Sequence, residues 1–160
     1  MEQIRDLLIE SPSFVDNGPM PKLHTGFDRD LSPEFRLFHV SDRTVSIAII
    51  MDDLDIPMIR AYNHWLIWNI PVTEVIGGGI PHGPALPSLG HAVQGIGYGQ
   101  HRYRGPKQPV FVRNTHRYIF RFYTLDCFLE LSSDARKREL LAAMDGHIIQ
   151  EGSITGTYKR

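Results

Sequence analysis

The stretch SIAIIMDDLDIP (46–57) runs from apolar, β-branched residues into three carboxylates, Asp52, Asp53 and Asp55, before Pro57. Two other apolar runs open on titratable side chains. His64 heads HWLIWNIP (64–71), and His116 and Tyr118 head the run inside THRYIF (115–120). Aspartate, imidazole and phenol can bind an anion, hold a metal or orient one another. Strand alternation puts Asp53 and Asp55 on one side if that segment is extended, and His116 and Tyr118 on one face of theirs. A histidine at the edge of a buried strand needs an acceptor for its ring N–H. A carboxylate supplies one, fixing the tautomer and leaving the second ring nitrogen to face a cavity. Two histidines, each oriented by an aspartate, would make a small pocket with donors pointing inward.

The same residues admit a second chemistry. Asp53, Asp55, His64 and His116 could hold Zn²⁺ or Mn²⁺ with an open position, as a metal-assisted hydrolase requires. A third reading assigns the function to the long loop between the runs, as a contact for a partner or a second copy of the chain. Cys127 lies in an apolar-aromatic stretch and reads as buried rather than reactive.

These side chains need strands to hold them. Residues 44–51, 64–70 and 118–125 are short, apolar and rich in β-branched or aromatic types, and proline closes the second run at Pro71. Residues 11–14 and 37–40 are further short candidates, and SITGTYKR (153–160) reads as a terminal strand. One helix is predicted within ARKRELLAAMDG (135–146). Ser132, Ser133 or Asp134 would cap it, Leu140, Leu141 and Met144 would share its buried face, and Gly146 would stop it. Arg136, Lys137 and Arg138 read as its solvated face.

Nine of the fourteen glycines fall between Gly77 and Gly105, among Pro81, Pro84, Pro87 and, just beyond, Pro106. A connection this long is expected to be functional or partly disordered. GGG (77–79) and GIGYG (95–99) lack the Lys-Ser/Thr of a phosphate loop and the strand–helix frame of a dinucleotide fold. His82, His91 and His101 lack the spacing of a helical zinc pair and read as exposed loop histidines.

Composition narrows the class. The 160 residues suit one domain over 1–160, with the loop at about 77–109. The formal net charge of −1 argues against a nucleic-acid binder and a polybasic membrane clamp. One cysteine excludes an internal disulfide and fits a reducing compartment. The first residues are too charged for a signal segment, and no apolar run is long enough to span a membrane. A cytoplasmic protein is expected.

Taken together, these segments resemble the phosphatidylethanolamine-binding protein family, also known for Raf kinase inhibitor protein, in its bacterial and archaeal branch. Asp53-Leu54-Asp55-Ile56-Pro57 is similar to its Asp-Pro-Asp-x-Pro motif. HWLIWNIP is similar to its His-Trp-x-x-Trp-Asn-Ile-Pro strand. Tyr103, Gly105, Pro106, His116, Arg117, Tyr118 and Phe120 match its Tyr-x-Gly-Pro…His-Arg-Tyr-x-Phe run. LSPEF (31–35) and the ending MDGHIIQEGSITGTYKR also match, so the resemblance covers nearly the whole chain. Leu54 stands where the family often has proline, His24 where tyrosine is common, and Lys107-Gln108 and Arg113-Asn114-Thr115 in place of smaller or glycine-containing stretches.

The resemblance implies a mainly β fold, a β-sandwich of antiparallel sheets with a C-terminal helix. It implies a non-catalytic binding protein without a cofactor, with a pocket for a phosphate-like anion or phosphoethanolamine headgroup. Asp53, Asp55, His64, Gly105, Pro106, His116 and Tyr118 would line or support that pocket, and the departures from the family pattern offer Lys107 and Arg104 as added rim cations. It also implies regulation of a protein partner such as a kinase, and a homodimer. On either the imidazolium or the monoprotonated-phosphate account, binding weakens as pH rises.

Overall fold

The computed structural model describes residues 3–112 and 114–160. Met1, Glu2 and Arg113, the last in the approach to His116, lie outside them. Among the described residues, nine strands and one α-helix follow in the order β1 (Leu8–Glu10), β2 (Gly18–Pro19), β3 (Phe35–Phe38), β4 (Ser46–Asp53), β5 (Tyr62–Pro71), β6 (Val75–Ile76), β7 (Val93–Gln94), β8 (His116–Leu125), α1 (Lys137–Met144) and β9 (Ile148–Tyr158). They form a six-stranded sheet in the order β2-β9-β8-β4-β5-β7 and a three-stranded sheet in the order β1-β3-β6. The pairing is antiparallel except between β2 and β9, which run parallel. The mainly β fold with a helix near the C-terminus is as expected.

Strand β4 is buried along its whole length because both faces of the large sheet are covered. Ile47, Ile49 and Met51 point into the core between the sheets, against Phe35, Phe120 and Phe122. Ala48 and Ile50 point the other way, into a second core with Leu66, Trp68, Leu140 and Met144. One strand therefore serves two cores, and each successive residue is committed to one of them.

The three long expected strands and the terminal strand are present, with edges moved by a few residues. The short candidates fare differently. Leu37–Val40 overlaps β3, whereas residues 11–14 form no strand and β1 precedes them. The helix starts later than predicted, with Arg136 at its N-cap instead of Ser132, Ser133 or Asp134. Glu139 accepts a hydrogen bond from the Arg136 backbone N–H at 3.4 Å. Leu140 and Met144 are buried as expected, but Leu141 is exposed, because a helix this short buries only one narrow stripe. Lys137 is not free in solvent either. Its Nζ reaches Asp52 at 2.6 Å.

The Gly/Pro-rich loop, expected to be functional or partly disordered, follows a defined path. Buried Gln94 holds it: its Nε2 donates to the carbonyls of Pro81, Gly83 and His101 at 3.0, 2.9 and 3.2 Å. Its Oε1 accepts from the Trp65 indole at 2.8 Å. One amide thus converts a long connection into a fixed wall, since each bond satisfies a group that would otherwise be buried without a partner. Among the described residues, no helix is long and apolar enough to cross a membrane.

Candidate functional site

The three carboxylates after β4 go to three different places. Alternation sends Asp52 to the helix side, where it meets Lys137 at 2.6 Å, Arg121 at 3.3 Å and the Asn63 amide at 3.1 Å. Asp53 follows Met51 to the opposite side and accepts the His116 Nδ1–H at 2.7 Å, both residues being 1% exposed. Asp55 lies beyond the strand and faces outward. It accepts from the Arg117 backbone N–H, Nε and Nη2 at 2.7, 2.9 and 2.9 Å. That hydrogen bonding holds the Asp55 carboxyl below the usual range against a smaller opposing effect of burial. Asp53 and Asp55 therefore do not share a side, because the strand ends between them.

His64 reaches the same end of the sheet by a different device. Met51 pairs with Trp65 and Asp52 with Asn63, so His64 is the extra residue of a β-bulge on β5. The bulge turns its ring away from the helix-side core and towards the rings of Tyr62, Tyr98 and Tyr118, at 5.8, 4.9 and 5.5 Å between centroids. Its orienter is not an aspartate, as expected, but the Arg104 carbonyl, which accepts Nδ1–H at 2.7 Å. A carbonyl accepts only, so Nδ1 carries the proton. Burial pushes the His64 pKa down despite the opposing pull of that carbonyl and of Asp53. The ring is neutral at pH 7, and its Nε2 is a lone pair rather than the inward donor foreseen.

These residues border a cavity of about 160 Å³. That is close to the ~150 Å³ engineered cavity able to hold a benzene ring. Asp53, His64, Tyr118, Lys107 and Gln108 supply its polar groups, and Ile56, Ile59, Tyr62, Tyr98 and Pro109 its walls. The Tyr118 hydroxyl is buried beside the Asp53 carboxylate, close enough to interact with it but without a well-formed hydrogen bond. Burial first, then the nearby Asp53 carboxylate, raise its pKa far above the ordinary phenol value, so it remains a donor. Asp53 is less repellent to an anion than its charge suggests. One oxygen is taken by His116, and the other accepts the Asp55 backbone N–H at 2.8 Å. Lys107 Nζ donates to the Gly26 carbonyl at 3.0 Å and lies 4.6 Å from the centre of the Phe27 ring, which leaves two of its protons uncommitted.

The other expected site residues support the cavity without bordering it. His116 acts through Asp53. Gly105 and Pro106 are buried and dock residues 102–106 on the chain around Gly26. The Gly105 N–H donates to Asp30 at 2.8 Å, and the Pro106 carbonyl accepts from the Gly26 N–H at 2.8 Å. Glycine is required there, because a Cβ at position 105 would collide with the His24 carbonyl. Arg104 does not border the cavity, although its guanidinium lies 5.4 Å from the ring centre of Tyr98 in the wall. Its guanidinium is tied to Asp30 at 3.1 Å beside Arg102 at 2.7 Å.

Asp30 is the residue that sequence reasoning missed. Arg102 and Arg104 flank buried Tyr103, and two cations on one side of an extended segment demand a shared carboxylate. Nothing in the spacing said which. Asp53, Asp55, His64 and His116 do not converge as a metal site. Among the described residues the one cluster with metal-ligating geometry is elsewhere, at Asp126, Cys127 and His147. The three loop histidines do not meet either.

The family model described as "Phosphatidylethanolamine-binding protein" matches residues 10–159. The chain belongs to the phosphatidylethanolamine-binding protein family. A UPF0098 protein of Pyrococcus horikoshii is 37% identical over 151 residues, spanning 94% of this chain and 75% of that protein. One from Methanothermobacter thermautotrophicus is 36% identical over 154 residues, 95% of this chain and 98% of that protein. Among solved structures, a putative phosphatidylethanolamine-binding protein homolog from Chlamydia trachomatis superposes with a TM-score of 0.85 at 29% identity, covering 97% of this chain and 98% of that one. Escherichia coli YbcL, described as a member of the mammalian family, gives 0.82 at 21% over 98% and 99%, a likeness of fold alone. Membership in the phosphatidylethanolamine-binding protein family accounts for the sandwich and for a binding-protein fold.

Proposed function

We propose that this member of the family is a non-catalytic binding protein whose cavity takes a small anion of the phosphate class, carried on a short organic substituent. The observation that carries this reading is the Tyr118 hydroxyl, a buried donor that makes no well-formed hydrogen bond and has only a weak interaction with Asp53, at the wall of a cavity that also presents the neutral His64. A buried hydroxyl left without a well-formed bond is costly, and a ligand oxygen would remove that cost. His64 Nε2 selects the protonation state. It accepts a hydrogen bond, so the favoured species is the monoprotonated phosphate, which donates its O–H to Nε2 and accepts from Tyr118 and Lys107. Ile56, Ile59, Tyr62 and Tyr98 suit the substituent. Nothing in the cavity is an activated nucleophile, which supports binding over catalysis.

In this reading the ligand is a phospholipid headgroup or a free phosphomonoester, and occupancy is what a protein partner such as a kinase, or a second copy of the chain, would sense. Exposed Met58, Ile59, Val110 and Phe111, on the segments that bear the cavity wall, offer such a partner apolar contacts. Calorimetric titration with inorganic phosphate and phosphoethanolamine tests the pocket. Saturable binding is expected, with phosphoethanolamine the tighter ligand, abolished in His64→Ala and weakening as pH rises through about 6, where a phosphate ester loses its second proton. Equal heats from wild type and His64→Ala would refute it.

A further inference from the structure

The second imidazole–carboxylate pair of the chain has a thiol beside it. Asp126 and Cys127 follow β8, and His147 precedes β9, so one hairpin-like end brings the three together. His147 Nδ1 donates to Asp126 Oδ1 at 2.9 Å, and one donor atom from each of the three residues lies within 4.8 Å of the other two. The backbone at all three is pinned. Asp126 N–H donates to the His147 carbonyl at 3.0 Å, His147 N–H to the Met144 carbonyl at 2.9 Å, and Ser46 Oγ to the Cys127 carbonyl at 2.6 Å. The donors therefore meet on a frame that does not have to form when a ligand arrives.

We propose that Asp126, Cys127 and His147 are a binding site for a borderline-soft divalent cation, Zn²⁺ being the best fit. A thiolate, an imidazole and one carboxylate form a zinc-type donor set, whereas Mg²⁺ and Ca²⁺ demand oxygen ligands. Four-coordinate zinc with bonds of about 2.0–2.3 Å separates its ligands by roughly 3.3–3.8 Å. Separations of up to 4.8 Å must close by up to about 1.0–1.5 Å to reach that. The 2.9 Å hydrogen bond opens as two metal bonds replace it. On binding, the Cys127 S–H bond breaks, the S–Zn bond forms and that proton passes to solvent, while the His147 ring exchanges its Nδ1 proton for one on Nε2 through solvent, so that neutral Nδ1 is free to bind the metal. Thiolate and carboxylate together then neutralise the dication. His147 and Asp126 are 45% and 43% exposed, which leaves water free to fill the fourth position. Arg43 is the opposing charge, close enough to act on Asp126, and it tempers the affinity. The site is independent of the cavity, which takes no residue from it.

Cobalt(II) titration of the full chain, read in the near-ultraviolet and visible, tests the assignment, followed by calorimetry with Zn²⁺. One equivalent of Co²⁺ is expected to give a sulfur-to-metal charge-transfer band and tetrahedral ligand-field bands, both bleached by Zn²⁺. Cys127→Ser should abolish the charge-transfer band and weaken Zn²⁺ binding by more than about a hundredfold, a larger loss than outer-sphere changes cause. Arg43→Gln should tighten it by up to about fivefold. Zn²⁺ should also raise the melting temperature of wild type and not of Cys127→Ser, which reports the site without any spectroscopic metal. Arg43 is at the surface, and Cys127, half-buried against the second core rather than fully buried as expected, is replaced by a serine of similar size, so the variants fold. A wild-type chain that takes up no cobalt, or takes it up without a sulfur band, overturns the proposal. So does Zn²⁺ affinity that survives Cys127→Ser.

Discussion

Strand β8 has an aspartate–histidine pair at each end, and the two pairs do opposite things. Asp53–His116 and Asp126–His147 share one contact, Nδ1 to a carboxylate oxygen, at 2.7 and 2.9 Å. The first pair is sealed, with both side chains 1% exposed, while the second stands in solvent. Sealed, the pair is an orienting device: neither group can turn to water, and the Asp53 carboxylate is fixed at the cavity wall. In solvent the same contact is screened and exchangeable, so its oxygen and nitrogen stay available to an incoming cation. Burial, not the hydrogen bond itself, decides which role a carboxylate–imidazole pair takes.

The sharpest way to break this comparison is to remove the histidine from each pair. His116→Ala strands the Asp53 carboxylate in the interior with the Asp55 N–H as its remaining bond, and should cost about 3–5 kcal/mol. Denaturant unfolding measures it. His147→Ala, at the other end of the same strand, should lie close to wild type in the same experiment. Similar losses at both ends would mean that burial is not what separates them.

The second effect concerns the remaining histidine of the cavity. Burial lowers the His64 pKa in the folded chain, so the unfolded chain binds the extra proton more readily. The contribution of neutral His64 to stability is complete above about pH 6.5, the unfolded value, and is lost as pH falls towards the folded one. Unfolding curves at pH 7.5 and pH 5 should therefore show an acid loss in wild type that is reduced in His64→Gln. An acid limb of equal size in both would place the titrating group elsewhere.

How much of this was legible in the sequence depended on the range of the interaction. The strands β4, β5 and β8 were, because each apolar run carries its own signal, whereas a shared pocket for Asp53, His64 and Tyr118 followed only from the family resemblance, since spacing cannot say which strand ends meet. The fates of Asp52 and Asp55 were not. A one-residue difference in where a strand ends decides whether a carboxylate follows the alternation or escapes it. The partner of His64 was hidden for a related reason. A bulge is a relation between two strands, and a backbone carbonyl forty residues away leaves no mark in residue type. Asp30, and the order that Gln94 gives the Gly/Pro-rich loop, belong to the same class. Each is a single polar side chain satisfying distant backbone, which composition averages away.

A third variant separates function from stability within the sealed region. Tyr118→Phe deletes a hydroxyl that makes no well-formed hydrogen bond and only a weak interaction with Asp53, so stability should change by less than about 1 kcal/mol. Phosphoethanolamine affinity should nonetheless fall by roughly tenfold or more, since a hydrogen bond to a charged group is lost. A destabilised variant that binds normally would show the hydroxyl to be structural and take away the main support for the anion pocket.

The smallest effect is expected at the exposed pair, and its dependence on salt matters more than its size. The hydrogen bond from His147 holds the Asp126 carboxyl below the usual carboxylate range, although the residue lies at the surface. Its contribution to stability is thus present above about pH 3.9, the ordinary aspartate value, and lost as pH falls through the lower folded value. At pH 7 the melting temperature of Asp126→Asn should sit just below that of wild type in dilute buffer. In about 1 M salt, where the screening length shrinks to roughly 3 Å, the two should merge. The deficit of a conservative change at the sealed pair, Asp53→Asn, should survive the same salt, because ions cannot enter between side chains that water does not reach. If salt erased both deficits, or neither, the two ends of β8 would be electrostatically alike and burial would lose its claim to explain their different roles.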